Sequence, residues 1–264
     1  MLANPFTKAL WETRRSLIGW VLGVSGVGAL YAVFWPAMET PEMQEAMASF
    51  PQDILDALNY DNLTTASGYL SGSVYGLLVP ILVTVFAIGG GTRAVAGDEE
   101  AGTLDLLLAH PLSRTRLAMH RVAALLTCLA VITVVLGLVL SAMIVPVGLD
   151  GVSVRDLAAM TVHLTLFGAT FLALAFAIGA AIGGKGRTLA SSSGIAVLAY
   201  LAATVIPQVE GLEWVRNLSP YYWYSGEDPL VNGVQTGHAL LLAGLTAVLV
   251  ATGVWRFNRR DVAT

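Results

Sequence analysis

The chain has 264 residues, of which 56% are hydrophobic and only 12% charged, with a net charge of −4 and a mean hydropathy of +0.71. Soluble domains carry roughly 25% charged residues, so this composition argues against a water-soluble enzyme and points to an all-α polytopic membrane protein. A single domain over 1–264 is expected.

At the start, residues 4–16 read NPFTKALWETRRS. Asn4 can cap a helix with Pro5 at its first position. Phe6, Leu10 and Thr13 then share one face, while Lys8, Glu12 and Arg15 share the other. This pattern predicts an interfacial helix over 1–16, with a plain polar tail as the alternative. The apolar run behind it is of full spanning length and no small-x-small cleavage site follows, so an uncleaved signal anchor is expected.

A bilayer core takes about 20 apolar residues per helix. Six windows meet that length, near 17–36, 70–91, 121–146, 157–183, 188–207 and 237–256. Twelve of the 14 Lys and Arg fall on alternating connections, leaving only Arg155 and Arg216 on the other side. Basic residues favour the cytoplasmic face, which predicts six crossings with both termini inside. The tryptophans suit the same scheme. Trp11, Trp20 and Trp255 fall near the expected inner surface, and Trp35, Trp214 and Trp223 near the outer one. Most of the 18 acids fall in outer segments, which argues against nucleic acid or an anionic surface as an outer partner. Cys128 is the single cysteine, so no intrachain disulfide is possible.

Gly19, Gly23, Gly26 and Gly28 in the first window, and Gly179 and Gly183 in the fourth, suit close helix packing in lipid. The first outer segment, 37–69, shows apolar residues at helical spacing: Met43, Met47 and Phe50, then Ile54, Leu55 and Leu58 beyond Pro51. Two short amphipathic outer helices are expected there, packing on the bundle or forming a lid. Farther on, LSPYYWYSGEDPL at 218–230 holds four consecutive aromatics. Neighbours in sequence cannot share one helix face, and such a run suits an aromatic belt at the headgroups, with a gate or subunit contact as alternatives.

Between the second and third windows lies GDEEAGTLDLLLAHPLSRTR at 97–116. If 99–109 is helical, Asp98 caps it, Glu99 and Glu100 complement its positive end, and Pro111 stops it. Leu104, Leu107 and Leu108 then share an apolar face too short to span. Such a face buries against the protein's own helix ends, the lipid surface or a groove on a soluble partner.

Catalytic chemistry finds little footing. The histidines, His110, His120, His163 and His238, have no metal-ligand spacing, so no metal site is expected. His163 suits a hydrogen bond to a neighbouring helix. Ser191–Ser193 followed by Gly194 is similar to the serine region of six-helix intramembrane proteases, but the Gly of GxSG is replaced by Ser191. Its base is also missing, since His238 belongs to the opposite surface, about 30 Å away, whereas proton transfer needs about 3 Å. GAAIGGKG at 179–186 matches GxxxxGK but continues with Gly186 in place of Ser or Thr, behind an apolar helix instead of a strand. The expected spans hold no Asp, Glu, Lys or Arg in their cores, so an ion relay has no groups to use. Energy for uphill work would have to come from a partner.

The run Glu99-Glu100-Ala101-Gly102-Thr103-Leu104, followed by Leu107-Leu108 and Pro111-Leu112-Ser113-Arg114, resembles the cytosolic loop of ABC-2 type ABC transporter permeases. Six spans, the Ser-Pro-aromatic stretch with Asp228-Pro229-Leu230, and Arg259-Arg260-Asp261 extend the resemblance along the chain. Ala101 departs from it, because a basic residue is common there. The resemblance implies a cytosolic coupling helix between helices two and three. Glu99, Glu100, Gly102, Thr103, Leu104, Leu107, Leu108, Pro111 and Arg114 would dock it on a separate ATPase. It further implies two ATPase subunits, which bind the ATP and Mg while this chain binds no cofactor, and a second permease copy or homologue. The translocation path would lie along helices two and five, with Tyr75, Thr84, Phe86, Tyr200 and Thr204 as candidates. The apolar cores suit a lipid-like or amphipathic cargo, or a peptide. A non-transporting membrane scaffold and an intramembrane protease are the competing readings.

Overall fold

The computed structural model describes residues 5–40, 42, 65–94 and 114–259. They form a helical bundle with six helices long and apolar enough to cross a membrane, and no strand among the described residues. In chain order these are α1 (Pro5–Met38), α2 (Ala66–Thr92), α3 (Arg114–Val147), α4 (Val154–Ile182) and α5 (Lys185–Thr204), then the short α6 (Pro220–Ser225) and α7 (Pro229–Asn232), and finally α8 (Thr236–Arg259).

Several boundaries differ from the sequence expectation. The residues expected to form an interfacial helix continue into α1 without a break at 16 and 17. α3 begins two turns earlier than its apolar core, because Arg114, Arg116 and Arg121 join the helix; straight-chain charged residues propagate a helix well although hydropathy does not register them. α4 starts with a capping box, in which Asp156 N–H donates to Ser153 Oγ and Ser153 N–H donates to the Asp156 carboxylate. Gly183 and Gly184 both have positive φ and turn the chain directly from α4 into α5. The GAAIGGKG stretch is therefore a helix end, a glycine turn and a helix start, without the strand that a phosphate loop requires. The expected outer helices of 37–69 and the coupling loop of 97–116 lie outside the described residues except at their edges.

Two hydrogen bonds fix which helix ends lie together. Asn258 donates to Thr115 Oγ1 (2.8 Å), and Arg121 donates to the Ala94 carbonyl (2.9 Å). The end of α8, the start of α3 and the end of α2 thus share one end of the bundle, called basal here, while Trp35 and the α3–α4 turn mark the distal end. Of the described Lys and Arg, only Arg155 and Arg216 lie distally.

α4 is the central helix. In its most apolar window 67% of residues are buried, against 6% for α5 and 11% for α8. Water does not drive helices together in lipid, so packing must come from close approach. Glycine supplies it where α4 meets its neighbours. A Cβ on Gly91 of α2 would strike the Leu172 carbonyl, and one on Gly253 of α8 would strike the Phe176 ring. In α1 only Gly28 serves this way, facing Leu136; Gly19, Gly23 and Gly26 have open space beside them. Trp35 is buried, and its indole N–H donates to the Gly148 carbonyl (3.0 Å), so it pins the α3–α4 turn instead of joining a belt.

Candidate translocation groove

An apolar groove of about 440 Å³ lies between α2, α4 and α5. Pro80, Thr84, Val85 and Ile88 form its α2 wall, Phe167 and Phe171 its floor, and Ser193, Val197 and Tyr200 its α5 wall. Tyr221 closes its distal end. Its ring stands edge-on to Tyr200 (5.1 Å, 90°) and to Phe167 (5.6 Å, 87°). No Asp, Glu, Lys, Arg or His lines it. The lining can therefore hold an uncharged or amphipathic body, with hydroxyls at Thr84, Ser193 and Tyr200 as its polar points.

The backbone of α2 beside the groove is irregular for a definable reason. Leu70–Leu78 is π-helical, and the Val79 N–H bonds the Val74 carbonyl, five residues back. That shift bypasses the Tyr75 carbonyl. The next residue, Pro80, has no N–H to offer either Tyr75 or Gly76. Both orphaned carbonyls are capped from α6: Tyr221 Oη donates to the Gly76 carbonyl, and Tyr224 Oη donates to the Tyr75 carbonyl at 2.9 Å. π-helical insertions recur at functional sites.

α6 reaches α2 because the chain folds back after α5. Ser219 Oγ donates to the Ala199 carbonyl (2.6 Å), five residues short of the end of α5, and accepts from the Tyr221 N–H. The aromatic run expected to form a headgroup belt is thus divided. Tyr221 and Tyr224, three apart on one short helix, turn inward and are buried, while Tyr222 and Trp223 are half-buried. His163 of α4 anchors the same segment, as its sequence position suggested. Its Nε2 accepts from the Gln235 N–H (3.1 Å), which leaves Nδ1–H to donate to the Trp223 carbonyl (3.2 Å). Asp228, at φ 44°, accepts from Ser71 Oγ (2.8 Å) and ties the loop to the start of α2. Burial pushes its carboxyl above the usual aspartate range, against the pull of the Ser71 hydroxyl.

The path residues named from sequence part company here. Thr84 and Tyr200 face each other across the groove. Thr204 lies one turn beyond Tyr200 and donates to its carbonyl (2.9 Å). Tyr75 is fully buried, and Phe86 packs edge-on against Trp20 of α1 at 5.7 Å. Ser193 lines the groove and Ser192 is buried, but no histidine joins them. Of the docking residues, Glu99, Glu100, Gly102, Thr103, Leu104, Leu107, Leu108 and Pro111 lie outside the described residues, and Arg114 opens α3. No cluster of metal-binding side chains occurs among the described residues. The sequence offers a gate at 218–230 only as an alternative to the belt; Pro80 in an apolar helix is the signal that favours Tyr221 and Tyr224 as closing elements.

No curated protein matches the chain. The family model described as the C-terminal domain of the multidrug efflux system permease Rv1217c matches residues 2–258, and the chain therefore belongs to this family of ABC transporter permeases.

Proposed function

We propose that this chain is the membrane-spanning subunit of an ATP-driven exporter and that the α2–α4–α5 groove is its half of the translocation path. The groove itself carries the reading: it is apolar, lined by no Asp, Glu, Lys, Arg or His, and walled on one side by the sparsely buried α5. Family membership supports export of drug-like, amphipathic molecules. The exposed apolar residues of α5, such as Val197 (58%) and Leu198 (63%), suit a second permease copy facing the groove. The basic bias of the basal end suits a cytoplasmic location for both termini at the cell membrane. Energy enters through a coupling helix in 97–116, where Leu104, Leu107 and Leu108 dock on an ATPase that holds the ATP and Mg.

Purification of the chain in mild detergent from its native host, followed by mass spectrometry, tests this. Two copies of a separate ATPase subunit are expected. Leu107→Asp or Glu100→Lys should release the ATPase while membrane insertion is unchanged. A complex without an ATPase would favour a scaffold, and co-purification undiminished in both variants would remove the docking role.

A further inference from the structure

A second groove, about 920 Å³, runs between α3, α4 and α8. It uses the face of α4 opposite the first one: Thr165 and Ala169 line it, whereas Phe167 and Phe171 line the translocation groove. We propose that this second groove binds a phospholipid with an anionic headgroup, its acyl chain lying along α8 and its phosphate held by Arg256 and Arg259.

Three observations support this. The first is length. The α8 wall runs along one helix face from Ala243 to Asn258, which at 1.5 Å per residue is about 22 Å. One leaflet's share of a bilayer about 40–45 Å thick with its headgroups is about 20–22 Å. The second is dryness. The groove's threonine and asparagine side chains are already used: Thr165 donates to the Thr161 carbonyl (2.7 Å), Thr246 to the Leu242 carbonyl (2.8 Å) and Asn258 to Thr115 Oγ1 (2.8 Å). An acyl chain therefore displaces no polar partner.

The third is charge at the basal mouth. The guanidinium carbons of Arg259 and Arg256 stand 4.6 and 5.2 Å from the ring centre of Trp255, a lining residue. Both arginines are exposed, and neither makes an ion pair among the described residues. The single described carboxylate at the basal end, Glu12, lies 3.8 Å from Lys8. Nothing described at that end neutralises the pair. Guanidinium forks bind phosphate oxygens in a bidentate manner, and an anionic headgroup brings no cation of its own to oppose them.

The test is native mass spectrometry of the full chain in mild detergent, titrated with phosphatidylglycerol and with phosphatidylcholine of identical acyl chains. Each arginine near an anionic surface contributes about a factor of five, so phosphatidylglycerol should bind roughly twenty-five-fold more tightly. In Arg256→Gln/Arg259→Gln the preference should fall to within about two-fold of parity, through a much larger loss of phosphatidylglycerol than of phosphatidylcholine binding. Ala247→Phe, which fills the groove, should weaken both lipids together. Equal affinities in the native chain, or a preference that survives the double arginine variant, would overturn the proposal. So would equal binding of glycerol phosphate, which has no acyl chain. Disulfide dimers through Ala247→Cys would show instead that a second copy occupies the groove.

Discussion

Removing the Tyr221 and Tyr224 hydroxyls should loosen the distal closure of the groove without disturbing its shape. Tyr221→Phe and Tyr224→Phe keep the rings that pack on Phe167, Tyr200 and each other. What is lost is the donor to a carbonyl that the π-helical shift and Pro80 have left without a backbone partner. A buried acceptor left unsatisfied costs about 1–3 kcal/mol. At about 2–4 °C per kcal/mol for a chain of this size, each variant should lower the thermal midpoint in detergent by several degrees. The two rings are 5.8 Å apart, so the double variant should be non-additive. Tyr222→Phe is the control, since its half-buried hydroxyl caps no carbonyl of α2. Pro80→Ala provides the decisive cross-check. It returns one N–H to α2, so Tyr221→Phe or Tyr224→Phe should cost about 1 kcal/mol less in that background. Midpoints equal to the Tyr222→Phe control, or purely additive effects with Pro80→Ala, would show that the two hydroxyls do not replace the missing N–H of Pro80.

Asp228→Asn should stabilise the distal loop at neutral pH, because Asn keeps an acceptor for Ser71 and tolerates the left-handed backbone. In the native chain the folded state binds the Asp228 proton more tightly than the unfolded state. Stability should therefore fall as pH rises from the ordinary aspartate value of 3.8 through the raised folded value, then level off; thermal midpoints across pH should show this slope lost in Asp228→Asn. The Tyr75 hydroxyl is buried and bonds no other described residue, so Tyr75→Phe should leave the midpoint unchanged or raise it, and a clear fall would contradict the assigned environment. Gly91→Ala should cost about 1–3 kcal/mol by forcing α2 off the Leu172 backbone. Gly23→Ala, with open space beside it, should be near neutral, and equal effects of the two on unfolding would undermine the α2–α4 contact.

The six spans were legible because span length is a property of composition alone, and the alternating basic connections sort their ends into two groups. Which face of each span packs was not legible. α2 is apolar all round, so no stripe marks its buried side. Its π-helical stretch also breaks the 3.6-residue period, so Tyr75 cannot be placed by counting turns back from Thr84. That is why Thr84 and Tyr200 meet at the groove while Tyr75 and Phe86 turn into the bundle. From sequence, the aromatic run at 221–224 suits a belt because four consecutive rings cannot share a face. The structure needs only two of them, three residues apart, and sends those inward. The missing N–H of Pro80 was visible in the sequence; that two tyrosines about 145 residues away would supply its replacement depends on tertiary structure.

On the proposed function, cargo passes along the α2–α4–α5 groove, driven by ATP hydrolysed on a separate subunit. ATP-dependent efflux of an amphipathic fluorescent cation from proteoliposomes containing the permease and its co-purified ATPase tests it most directly, with Ala196→Trp, on the groove wall, as the variant. Efflux by the native complex is expected, with loss of efflux in Ala196→Trp while ATPase binding and basal hydrolysis are retained. Undiminished efflux with the groove filled would contradict this route.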